Sequence, residues 1–190
     1  MSLPSGSVRS LTGNDPDLVA RVLGFLKGIG IPCRYGNVGR SFINNVFIKD
    51  GGLVINSKSV VADILHEAGH IAIIPSNLRH HAKGDLEALE LEVSKALDAI
   101  TYDQWANDDP AAKALLQLSD TEATAWAWAA GKHLDIPEPL IIEDEHYDGN
   151  GASMRIMLGV GQYLGINGMV ASRMLSKISD YPILQRWTQI

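Results

Sequence analysis

Residues 64–75 read "ILHEAGHIAIIP", two histidines four apart around a glutamate in a run that is otherwise aliphatic or small. On a helix, positions i and i+4 lie one turn apart on the same face. The residues around them, Val60, Val61, Ile64, Leu65, Ile71, Ile73 and Ile74, are those of a helix bound for the interior. Burying three ionisable groups among aliphatics is costly unless each finds a partner. The fold must therefore either bring hydrogen-bond partners to His66, Glu67 and His70 or build a metal site around them. His66-Glu67-Ala68-Gly69-His70 fits H-E-x-x-H, in which both imidazoles bind one ion and the glutamate lies beside it. Neutral imidazole suits Zn2+, which lowers the pKa of a bound water to about 7, and Glu67 is placed to take a proton from that water. Ala68 and Gly69 leave room for a sheet or a substrate backbone to approach. The plainer alternative is a pair of half-buried histidines bonded to backbone, with Glu67 as an ion-pair partner.

A single cysteine, Cys33, excludes cysteine-based zinc sites, so further ligands must be histidine or carboxylate. A metzincin would carry glycine and histidine three and six residues after His70, where Ile73 and Ser76 stand. The best candidate for a third ligand is Glu122 in "DTEATAWAWAAG", at the start of a second helix whose alanines allow close packing. Ser119 and Glu122 also fit a capping box, in which the glutamate would only bond the helix start. His80 and His81 compete from a polar turn; His133, near a helix C-terminus, is explained by the helix dipole. Asp63, three residues before His66, is placed either to orient a ligand or to form a surface salt bridge. His146 and Tyr147 in the polar stretch "EDEHYDGNG" are candidates for stabilising an oxyanion, with Tyr102 as a third; a solvated acidic loop is the competing reading.

At 190 residues and 46% hydrophobic, without repeats or low-complexity tracts, residues 1–190 are expected to form one domain. "NDPDLVARVLGFLKGIG" has Asp15 as cap and Pro16 at the first helical position. "RSFINNVFIKDGGLVIN" reads as a hairpin around Asp50, Gly51 and Gly52. Helices are expected over 57–74, 84–106, 111–118, 119–134 with Gly131 closing it, 153–165 and 167–178. The predicted class is α+β, mostly helical, with a small antiparallel sheet packed beside the H-E-x-x-H helix. No apolar run approaches the ~20 residues needed to span a bilayer, and the first residues lack a basic-then-apolar leader, so a cytoplasmic protein is expected. A net charge of −6 without a basic cluster disfavours direct nucleic-acid binding.

"LVIN", the helix carrying "ILHEAGHIAIIP" and the downstream alanine-rich helix with Glu122 together resemble the ImmA/IrrE family of zincin-like metallopeptidases, over about residues 40–135. The resemblance implies a gluzincin-type site with His66, His70 and Glu122 as zinc ligands and Glu67 as general base. It also implies a peptide or protein substrate, among them regulatory proteins of mobile elements and stress responses. Two other classes stay open: a non-catalytic zinc-binding regulatory or interaction protein, and a hydrolase acting on a non-protein bond.

Overall fold

A computed structural model of the protein describes residues 11–38, 45–83, 87–101 and 109–190. Helix α1 (Pro16–Gly28) begins as its sequence requires: the Asp15 side chain accepts from the Asp17 amide and Pro16 occupies the first turn. Strand β1 (Cys33–Tyr35) is followed by β2 (Val46–Lys49) and β3 (Gly52–Ile55). The expected hairpin is β2 and β3, antiparallel, joined through Asp50 (φ 51°) and Gly51 (φ 74°) in the left-handed conformations such a turn needs. The sheet is nevertheless mixed, not antiparallel, because β1 pairs parallel to β3 in the order β1-β3-β2. Three residues, mostly exposed, carry no alternation by which β1 could be read from the sequence.

Helix α2 (Val61–Ile73) holds the H-E-x-x-H residues and packs behind β2 and β3. It is followed by α3 (Glu87–Asp98), α4 (Pro110–Leu115) and α5 (Asp120–His133). Three short helices then follow: α6 (Glu138–Ile141), α7 (His146–Gly149) and α8 (Gly151–Gly159). The last, α9 (Leu164–Ala171), lies against α5. The continuous helix expected over 84–106 is observed only as α3, residues 84–86 and 102–108 lying outside the described residues. Gly131 does not end α5; it lies inside the helix, where an added Cβ would sit 2.5 Å from Ile141 of α6.

The core lies where α2 crosses α5. Ile64, Leu65 and Ile71 of α2 and Trp126 and Trp128 of α5 are fully buried. The Trp126 indole donates to the Trp187 carbonyl at 2.9 Å, and the Tyr181 hydroxyl donates to the Ala125 carbonyl at 2.8 Å, so the last segment of the chain is fastened across α5. Arg79 fastens it to α2 as well. Its guanidinium donates to the carbonyls of Ile71 (3.2 Å), Ile74 (3.2 Å) and Gln189 (3.0 Å), satisfying acceptors that a helix C-terminus leaves open.

At the crossing the helix backbones nearly touch. A Cβ built on Gly69 would lie 2.5 Å from the Ala123 carbonyl oxygen and 3.0 Å from its Cα. The room left by Ala68 and Gly69 is thus filled by α5, not by the sheet or by a substrate. Gly→Ala at an ordinary helix interior stabilises by up to ~1 kcal/mol, but here the methyl has nowhere to go, and overpacking costs ~1–3 kcal/mol. Gly69→Ala is therefore expected to lower stability, read as a reduced midpoint in urea unfolding; a midpoint at or above that of the parent protein would contradict the close crossing.

Candidate metal centre

His66 and His70 project from one face of α2, their rings edge to face with centroids 4.9 Å apart. The crossing at Gly69 and Ala123 brings the first residue of α5, Asp120, to the same point. His66 Nε2 lies 3.1 Å from Asp120 Oδ1, His70 Nε2 lies 3.3 Å from the same oxygen, and the two Nε2 atoms are 3.2 Å apart. A tetrahedral zinc with bonds of ~2.0–2.1 Å keeps its donors ~3.3–3.4 Å apart, so these three atoms form a nearly equilateral triangle of about the right size for one face of such a site. Among the described residues this is the one group of histidine, cysteine and carboxylate side chains that could hold a metal ion. All three residues reach solvent, His66 and His70 partly and Asp120 with 65% of its side chain, which leaves an approach open on the outer side.

Glu122, expected as the third ligand, is not brought to the histidines. Successive helix residues are turned by ~100°, so Asp120 and Glu122 point to well-separated sides of α5. Asp120 falls close to the Ala123 face that meets α2, whereas the Glu122 side chain is buried against Gly168 of α9. Its Oε2 accepts hydrogen bonds from the Ser119 and Thr121 hydroxyls, and Ser119 is the N-cap of α5. Ser119 does cap α5, accepting from the Thr121 amide, but the expected capping box is not formed, because Glu122 bonds the cap's hydroxyl and not its backbone amide. The signal that could have singled out Asp120 was the close-packing Ala123, whose face Asp120 shares and Glu122 does not.

Two imidazoles donating to its carboxylate hold Asp120 well below the usual carboxylate range; hydrogen bonds from His66 and then His70 are the leading causes. Glu67 moves in the opposite direction. Burial pushes its carboxyl up to about 7, His70 opposes that shift, and Asp63 and Asp120 reinforce it. Asp63 sits one turn before Glu67 on α2, its own carboxyl raised by burial.

Most of the stretch containing His146 and Tyr147 is exposed, as the reading of a solvated acidic loop expects, but these two side chains are half-buried beside the site. In α7 the backbone of Tyr147 (φ 57°) and Asp148 (φ 57°) is left-handed, and the Tyr147 side chain is half-buried. Its hydroxyl is 2.6 Å from Thr124 Oγ1, one turn beyond Asp120 on α5. Burial pushes the Tyr147 phenol up to about 12, and the nearby Asp120 charge adds to the shift. His146 faces Asp63 (3.9 Å) and Glu143 (4.0 Å). Tyr163, which the sequence reading missed, stands against the same Thr124 hydroxyl and also feels Asp120; nothing in its spacing marked it.

The competing histidines lie elsewhere. His80 and His81 stack on each other at 3.9 Å in the turn Arg79–His81, and His133 packs with Phe25 and Trp187. Tyr102 lies outside the described residues. No protein-family model, curated protein or solved structure matches the chain.

The carboxyl of Glu67 gives the metal-free protein a pH dependence of known sign. In the fold it holds its proton up to about pH 7, whereas in the unfolded chain it ionises near ~4.3. Its contribution is fully present below ~4.3 and is lost as pH rises through about 7. In chelator-treated protein, Glu67→Gln should therefore gain stability relative to the parent between pH 5 and pH 8, by at most ~3 kcal/mol, in urea unfolding. Parallel curves for the two proteins would refute the burial of an ionisable Glu67.

Proposed function

We propose that the protein is a zinc-dependent metallopeptidase of zincin type, with His66, His70 and Asp120 as zinc ligands and Glu67 as general base. The observation that carries this reading is the triangle of His66 Nε2, His70 Nε2 and Asp120 Oδ1, with sides of 3.1–3.3 Å, beside a half-buried glutamate. Two neutral imidazoles and one carboxylate, with a solvent-facing side left free, are the donor chemistry of a hydrolytic rather than a structural zinc site. An aspartate in the third place departs from the gluzincin pattern that the resemblance to the ImmA/IrrE family implied. Zinc bound there supplies a Lewis acid for the scissile carbonyl and an acidified water.

The remaining chemistry belongs to the chain. Glu67 accepts a proton from the attacking water at its carboxylate and returns it to the nitrogen of the leaving amine. In the metal-free protein burial pushes that carboxyl up to about 7; an ion beside it would draw it down, toward the ionised form that accepts the proton. The Tyr147 phenol keeps its proton at that pH and lies beside the Asp120 side of the site, where it can donate a hydrogen bond to the carbonyl oxygen as negative charge develops. His146, facing Asp63 and Glu143, is the second candidate for that role. The substrate class is a peptide or protein, with regulatory proteins suggested by the family resemblance.

Elemental analysis and peptide cleavage, run on the same samples, test this reading. The parent protein is expected to hold about one zinc per chain, and Asp120→Ala and His66→Ala should lose it. Glu67→Gln should keep its zinc yet cleave a mixed peptide library, read by mass spectrometry, at least ~100-fold more slowly. Failure of the parent protein to take up zinc, or undiminished cleavage by Glu67→Gln, would contradict the proposal.

A further inference from the structure

The Asp120 carboxylate is bonded to His66 and His70, the groups with which it would share an ion, and those bonds cannot fix it once the nitrogens bind metal. Asp120 is the first residue of its helix, its side chain is 65% exposed, and first turns lack the intrahelical bonds that fix later ones. A metal site tolerates only a few tenths of an ångström in its donors. Something else must hold the first turn of α5.

The residues behind that turn form a closed assembly. The Ser119 hydroxyl lies 2.7 Å from that of Thr121 and accepts from the Thr121 amide at 3.2 Å. Both hydroxyls donate to Glu122 Oε2, the Thr121 bond measuring 3.0 Å. Glu122 itself is only 7% exposed. Burying a carboxylate is unfavourable, and here the two hydroxyls and the positive end of the helix dipole offset it. The far side is closed by α9, which approaches so near that only glycine fits. A Cβ on Gly165 would lie 2.0 Å from the Thr121 carbonyl oxygen and 2.8 Å from the Glu122 amide nitrogen, and one on Gly168 would lie 2.3 Å from Glu122 Oε1. Residues 119, 121 and 122 are thus pinned from within by hydrogen bonds and from outside by the backbone of α9, with Asp120 between them pointing the other way.

We infer that Glu122 is a positioning residue: buried between the α5 cap and α9, it holds the first turn so that Asp120 meets His66 and His70, and it sets metal affinity without touching the ion. This inference rests on the reading of His66, His70 and Asp120 as the metal site. It also gives a reason for a buried carboxylate two residues from a ligand.

The test is zinc affinity by competition with a chromogenic chelator, together with the visible spectrum of the cobalt-loaded protein and unfolding of the metal-free forms. Glu122→Ala should still bind one metal per chain, with affinity reduced roughly 10- to 100-fold and a cobalt spectrum shifted from that of the parent protein. Glu122→Gln should recover most of the affinity, since its amide oxygen still accepts from Ser119 and Thr121. The double variant Ser119→Ala, Thr121→Val removes the donors and leaves Glu122 in place; it should weaken binding to a similar degree. Affinity within twofold of the parent in Glu122→Ala would overturn the inference, as would loss of all binding in that variant while its metal-free form still folds, because Glu122 would then be a ligand. If the parent protein binds no zinc, the metal-site reading fails and the inference with it. If only Asp120→Ala loses zinc and Glu122→Ala is unaffected, the inference fails alone.

Discussion

The approach of α2 to α5 at Gly69 and Ala123 is the contact on which the rest depends. A Cβ at residue 69 would lie 2.5 Å from the Ala123 carbonyl oxygen, so the interhelix distance is set by backbone atoms and not by adjustable side chains. His70 follows Gly69 directly, and Asp120 lies one turn before Ala123. Rigid backbone contact at this point therefore becomes rigid separation between the imidazoles and the carboxylate. Everything packed around the crossing, including Trp126, the Arg79 guanidinium and the segment through Trp187 and Gln189, holds the two helices in that relation.

The site joins two opposed electrostatic demands on neighbouring carboxyls. In the metal-free protein the hydrogen bonds donated by the imidazoles keep Asp120 ionised; with an ion held at those nitrogens, the ion's own charge would take that part. In the proposed site Glu67 exchanges a proton, and in the metal-free fold its burial beside Asp63 pushes its carboxyl up to about 7. Groups whose environments push their proton affinities apart are the usual basis for dividing roles among like residues. Tyr147, bonded through its hydroxyl to Thr124, adds a donor that keeps its proton. Left-handed backbone like that of Tyr147 is maintained only where surrounding contacts enforce it, here by the bond to Thr124.

Elements were legible where period and end signals agreed: Asp15 and Pro16 start α1, Asp50 and Gly51 turn the hairpin, and Ser119 starts α5, whereas the helices expected over 153–165 and 167–178 are observed as Gly151–Gly159 and Leu164–Ala171. The pair His66 and His70 was legible for the same reason, since helical spacing alone brings them together. What sequence could not supply was rotation about the axis of α5. Asp120 and Glu122 are both carboxylates in one first turn, and only the packing of Ala123 on α2 and of Gly165 and Gly168 on α5 decides which faces the histidines. Strand β1 was missed because pairing with β3, not its own pattern, makes it a strand. Tyr163 and Thr124 meet through the tertiary fold, which no local spacing encodes.

In the proposed site one metal ion is shared by α2 and the first residue of α5. Anomalous diffraction at the zinc edge, from crystals grown with stoichiometric zinc, tests it most directly. A single strong peak is expected within bonding distance of His66 Nε2, His70 Nε2 and an Asp120 carboxylate oxygen, with Glu122 still bonded to Ser119 and Thr121. No peak between the two histidines, or one ligated by Glu122 in place of Asp120, would contradict it.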